Sequence, residues 1–113
     1  MSSPTLPGTT LTTAEVEALR VQLELQRDFR VEQLAQLQIE DTEPGRFAVD
    51  QEILEALLAG ARGALHDIDD ALRRIDDGVY GRCPQCGESH ALHQLQLLPQ
   101  LARCTDCQTQ QPG

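Results

Sequence analysis

Residues 71–107 read ALRRIDDGVYGRCPQCGESHALHQLQLLPQLARCTDC. The stretch holds every cysteine in the chain, as two CxxC pairs with 17 residues between them. Four sulfurs so placed could bind a metal, form disulfides or do redox work. The spacing C-x2-C-x17-C-x2-C lies within the range of zinc sites, where each pair supplies two thiolates from a tight turn. Gly87 directly follows Cys86 and suits a knuckle whose backbone must turn and aim N–H groups at sulfur. The expected ligands of a structural Zn²⁺ are therefore Cys83, Cys86, Cys104 and Cys107. Four protein ligands leave no open position for an activated water. A thioredoxin-like redox pair needs a βαβ context that this pattern lacks. Iron–sulfur ligation by four thiolates is the remaining alternative. His90 and His93 lie between the pairs and read as ordinary loop or surface histidines. The segment has few apolar side chains, so its folding is expected to depend on the metal.

Upstream of this stretch the pattern is helical. Leu54, Leu57, Ala61, Ala64, Ile68, Ala71 and Ile75 fall at alternating steps of three and four, a heptad seam. This second helix is expected from about Ala48 to Asp77, with Gly78 as its C′ residue. Gly60 and Gly63 weaken its middle and would permit close approach of a neighbour. A first helix is expected over 14–40, a run without Pro or Gly. Val16, Leu19, Leu23, Leu34 and Leu37 form its seam, with Leu25 and Phe29 widening the stripe and Gln26, Arg30 and Gln33 as weak points. Thr12 and Glu15 have capping-box spacing, and Leu11 and Val16 could close a hydrophobic staple around them. EDTEPGR, residues 40–46, breaks the two helices apart.

The expected fold is mainly α: a long antiparallel helical hairpin, or coiled coil, followed by a small four-cysteine zinc finger. Its parts are a disordered arm (1–11), the hairpin (12–78, tip near 40–47), the finger (79–108) and a flexible tail (109–113). Small alanines on the second helix facing larger residues on the first favour pairing within one chain, hence a monomer. A heptad seam also serves intermolecular coiled coils.

Composition limits the function. The 113 residues carry a net charge of −9, with 3% aromatics and no Trp. An acidic chain repels a phosphate backbone, so binding to DNA through its overall field is not expected. All nine basic residues are arginine, and Arg73, Arg74, Arg82 and Arg103 lie on or near the cysteine segment. No apolar run reaches the ~18 residues of a transmembrane helix. The N-terminus has no basic start or apolar h-region, so a cytoplasmic protein is expected. There thiols stay reduced, which favours metal over disulfide. With no open metal position, phosphate loop or Cys–His nucleophile, no enzyme is expected.

The run ALRRIDDGVYGRCPQCG, followed by Leu95, Pro99, Cys104 and Cys107, resembles the DksA/TraR family of bacterial transcription regulators. Members carry AL-x-R/K-I-x-x-G-x-Y/F-G-x-C-x-x-C-G, then a stretch ending in Pro, then C-x-x-C. Here Ala71, Leu72, Arg74, Ile75, Gly78, Tyr80, Gly81, Cys83, Cys86 and Gly87 fill that register. The local match covers 71–107, and the architecture matches over about 14–107.

The resemblance implies direct binding to RNA polymerase, with the hairpin in its secondary channel and an acidic tip toward the catalytic centre. Well-known members carry D-x-x-D-x-A at the tip. The corresponding residues here are Glu40-Asp41-Thr42-Glu43-Pro44-Gly45. Glu40, Asp41 and Glu43 are thus the expected partner-binding tip residues, with Glu for Asp at both motif positions. His90 stands where the family favours Ile. Some members act with ppGpp, but no residue here can be assigned to it, and the C-terminal helix of longer members is missing or vestigial. The alternative function is a zinc-dependent protein–protein adaptor on the same scaffold, without activity on transcription initiation.

Overall fold

The computed structural model describes residues 11–42 and 50–110. Two long helices, α1 (Thr13–Thr42) and α2 (Gln51–Asp76), pair as a hairpin. Two short ones, α3 (Leu92–Leu97) and α4 (Thr105–Gln110), belong to the cysteine segment. Among the described residues there is no strand; Arg82 and Ser89 form an isolated antiparallel bridge. The molecule is elongated, 60 × 33 × 21 Å. No helix among the described residues is long and apolar enough to cross a membrane.

Local chemistry sets the helix ends. The Thr12 hydroxyl accepts from the Glu15 N–H (3.1 Å), and the Glu15 carboxylate accepts from the Thr12 N–H (2.8 Å). This is a closed capping box. Leu11 and Val16, on either side of it, are both buried in the core as a staple. The second helix starts later than the expected Ala48, at Gln51, because Asp50 caps it by accepting from the Glu52 N–H (2.9 Å). At the other end Gly78 has φ +75°. The Val79 N–H reaches the Arg74 carbonyl and the Gly78 N–H that of Ile75, a Schellman closure. That left-handed residue turns the chain out of α2 and into the cysteines. In the tail, α4 runs to Gln110, past the point where a flexible tail is expected from the sequence.

The core lies at the hairpin's base. Leu11, Val16, Leu19 and Leu23 from α1 and its cap meet Ile68, Ala71 and Ile75 from α2, with Tyr80 and Leu95 from the cysteine segment. Arg20 and Arg27 of α1 bridge to Asp76 (3.1 Å) and Asp69 (2.6 Å) of α2. Such partly exposed pairs are worth at most about 1 kcal/mol each and serve mainly as register marks.

Toward the tip the seam differs from the expected one. On α2 the buried residues are Leu54, Leu58 and Ala61, while Leu57 is exposed. On α1, Leu25 and Phe29 are 65% and 64% exposed, so they do not widen the stripe. The heptad steps pass, as expected, through the weak points Gln26, Arg30 and Gln33, which are half-buried, to Leu37 and Glu40. Gly60 and Gly63 do not admit a close neighbour either. Both are exposed, and a Cβ added to either meets nothing within 4 Å.

Gly60→Ala and Gly63→Ala should therefore each stabilise the protein by about 1 kcal/mol, the helix-propensity difference, with no packing term against it. Gly78→Ala should destabilise it by a similar amount, since φ +75° disfavours an L side chain. Urea unfolding of the zinc-loaded variants checks both signs.

Candidate metal centre

The four sulfurs of Cys83, Cys86, Cys104 and Cys107 all lie within 4.8 Å of one another. None is in a disulfide. The Cys86 and Cys104 sulfurs are 3.6 Å apart, close to the edge of about 3.8 Å that Zn–S bonds of 2.3 Å give in a tetrahedron. Cys83 and Cys107 are buried, Cys104 is half-buried and Cys86 is exposed. The donor set fits zinc: four soft sulfurs, closed and roughly equidistant. Zinc bound there would supply a crosslink, with no position left for a reacting molecule.

The first pair sits in a tight turn. The Cys83 N–H donates to the Glu88 carbonyl and the Gly87 N–H to the Cys83 carbonyl, both at 2.8 Å. Gly87 has φ +79°, the left-handed residue that lets the turn close. Burial opposes ionisation of the Cys83 thiol, but the N–H groups of Cys104, Cys86 and Gln85 outweigh it and bring it down to about 6. Those N–H groups favour the thiolate, the form that ligates metal. Cys107 is pushed up, first by the neighbouring Cys104 sulfur and then by burial. Cys86 is raised as well, so two of the neighbouring thiols hold their protons until a cation neutralises the cluster.

The second pair must be brought back to the first by residues 99–103, which lie in no helix or strand. Five successive carbonyls of this return segment are each met by a side chain. The Tyr80 hydroxyl donates to Pro99 O (2.7 Å). One nitrogen of the Arg74 guanidinium reaches Gln100 O (3.5 Å) and Leu101 O (3.3 Å), while another holds Asp70 (2.9 Å). His90 Nε2 is 2.7 Å from Ala102 O. Gln108 Nε2 donates to Arg103 O (2.7 Å). Gln22 of α1 adds a bond to Gln96 O at the end of α3 (3.0 Å). The cysteine module is thus tied to both long helices.

Two expectations change here. His90 is not a surface histidine: it is buried, 3% exposed, and bridges toward the second pair. His93 is exposed, as expected. Sequence reading missed the role of Arg74 and His90, because their partners are backbone carbonyls that no residue type reveals. Of the expected tip residues, Glu40 and Asp41 lie at the opposite end of the hairpin from the sulfurs. Glu40 is buried, at 3% exposed, rather than presented to solvent. Asp41 is exposed and accepts from Gln51 Nε2 (3.2 Å), which ties the last turn of α1 to the first of α2. Glu43 lies outside the described residues.

Comparison with known proteins agrees with this geometry. Residues 78–111 match the prokaryotic dksA/traR C4-type zinc finger. The finger is of the DksA/TraR type. Most of the chain resembles transcription factor DksA2 from Pseudomonas aeruginosa, with a TM-score of 0.72 over 86% of this chain and 82% of that one. At 24% identity this likeness establishes a DksA-like fold. A curated relative, an uncharacterized protein of Aquifex aeolicus (strain VF5), is 33% identical over 63 residues. Those residues are 56% of this chain and 43% of the relative, so the match spans less than half of that protein.

Tyr80 gives a pH test of the tie between helix and finger. Burial raises its hydroxyl from the ordinary 10 to about 12, against the pull of Arg74. Below pH 10 both folded and unfolded chains hold the proton, so its contribution is intact. Between about 10 and 12 only the unfolded chain loses it, so stability should fall. Tyr80→Phe should remove that alkaline loss and cost about 1–3 kcal/mol at neutral pH by leaving Pro99 O without its donor. Unfolding curves across pH 7–12 measure both effects. Metal removal has its own test: a strong chelator should release one zinc per chain and unfold the finger, read by metal analysis and amide exchange at residues 80–107.

Proposed function

We propose that the chain regulates transcription by binding RNA polymerase directly, with its hairpin in the secondary channel and its tip toward the catalytic centre. The observation that carries this reading is the DksA-like fold over most of the chain, hairpin and finger included. Charge and shape support it. An acidic rod with helices about 40–45 Å long suits a deep channel lined by basic groups better than a DNA groove.

The finger's role is to hold the base of the rod. Arg74, Tyr80 and Gln22 transmit its fixed shape to both helices. At the tip, Asp41 is the described acid that faces outward, and the proposal assigns the presented charge to it. Glu40 acts instead as part of the packed end of the hairpin. The role is that of a ligand of the polymerase and not of an enzyme, since four protein thiolates complete the metal's coordination. The rod is used as a monomer.

The test is retention of core polymerase by immobilised zinc-loaded protein in the absence of DNA, followed by transcription in vitro. Wild type should be retained and should change initiation. Asp41→Asn should be retained nearly as well but should lose most of the effect on initiation. Failure of wild type to retain polymerase above an unrelated helical hairpin would overturn the proposal. Retention with a full effect from Asp41→Asn would remove the role given to the tip.

A further inference from the structure

The side chains that hold the return segment differ in what they can reach. Arg74 and Tyr80 fasten residues 99–101 to α2 and its exit turn. Gln108 binds Arg103 from within α4 itself. Among the described residues, the His90 ring bond is the side-chain hydrogen bond that joins the first knuckle's hairpin to the segment immediately before Cys104, whose own N–H is directed at the Cys83 sulfur. His90 is anchored on its own side by its N–H, which donates to the Gly81 carbonyl (2.8 Å), beside the Arg82–Ser89 bridge. Its ring spans to Ala102 O at 2.7 Å. A carbonyl can only accept, so Nε2 carries the proton, and a neutral ring with that tautomer suffices.

We propose that His90 is the positioning residue that sets the separation of the two CxxC knuckles and thereby the rate at which zinc leaves. Residues 81 and 90 fix the first knuckle's open ends to each other, and 90 and 102 fix that knuckle to the second. Ala102 is two residues before Cys104, so its carbonyl controls where Cys104 enters the sulfur cluster. Without the bond, the half-buried Ala102 carbonyl loses its donor, and the second knuckle can swing away while the first stays closed. Zinc release then begins with detachment of Cys104 and Cys107. With the bond, both knuckles must open together.

The experiment is stopped-flow transfer of zinc from the folded protein to excess pyridylazoresorcinol at neutral pH. His90→Leu keeps the buried volume and removes the donor. It should release zinc at least about tenfold faster, the scale on which outer partners act at metal sites. His90→Gln places an amide N–H where Nε2 stands and should restore a rate within a few-fold of wild type. His93→Leu, at the exposed neighbouring histidine, should leave the rate unchanged. Far-UV circular dichroism checks that the hairpin persists in each variant. If His90→Leu does not load zinc, His90→Asn takes its place, because its shorter amide cannot span to Ala102. Release from His90→Leu at the wild-type rate would overturn the proposal. So would equal rates for the Gln variant and for Leu or Asn, since volume or polarity alone would then explain the effect.

Discussion

A closed four-sulfur site requires the chain to leave one knuckle, travel 17 residues and bring a second knuckle back to within 4.8 Å of the first. The return segment here has no strand beside it, so its carbonyls cannot be satisfied by a sheet ladder. Buried backbone groups left without partners cost about as much as a lost hydrogen bond. The protein meets this constraint with side chains: Tyr80, Arg74, His90 and Gln108 cover five consecutive carbonyls. Each donor also ties the segment to something else. Tyr80 leads from the Schellman turn, Arg74 from the last turns of α2, and His90 from the first knuckle. The metal and these four side chains therefore close the same loop from opposite ends.

That arrangement explains why the core sits at the base. Tyr80 and Leu95 fill the junction where α1, α2 and the finger meet, and both are fully buried. The seven apolar residues that the two helices and the Leu11 staple contribute there make one continuous cluster with them. Farther out the seam becomes polar on one side: Gln26, Arg30 and Gln33 lie against α2, which still offers Leu54, Leu58 and Ala61. On α1 full burial of apolar residues stops after Leu23 among the described residues, and at the far end Asp50 caps α2 while Gln51 bonds Asp41.

The features most legible in the sequence were those set by local geometry. Thr12 and Glu15 close their box, Gly78 takes its left-handed turn, and the cysteine spacing assembles the sulfur set, because each depends on residues a few positions apart or on a chemistry that few residue types share. The heptad of α2 was legible in period and largely in phase: Leu54, Ala61, Ile68, Ala71 and Ile75 are buried on the expected seam, while Leu58 is buried in place of Leu57, a choice that only the partner helix decides. Leu25 and Phe29 misled for a similar reason. Their hydrophobicity suggested burial, yet the helix face was already fixed by Val16, Leu19 and Leu23 at the base, and steps of three and four from there lead to Gln26 and Arg30. His90 and Arg74 were illegible as ties, because a residue type does not disclose a bond to a carbonyl 12 or 27 residues away.

The division between base and tip bears on how such a scaffold can act. The base is overdetermined: metal, apolar cluster and carbonyl ties all fix one geometry, and removing any one leaves the others partly in place. Among the described residues the continuous apolar cluster lies at the finger end, so a change of exposed charge at Asp41 alters what the rod presents without touching that cluster. At the far end of α1, Glu40 is buried and its neighbour Asp41 is exposed. A partner that reads the tip would meet a carboxylate displaced by one helical position, about 100° around the axis and 1.5 Å along it. Near a reacting centre, where a misplacement of about 1 Å can cost 10²-fold, such a displacement bears on the size of an effect rather than on binding.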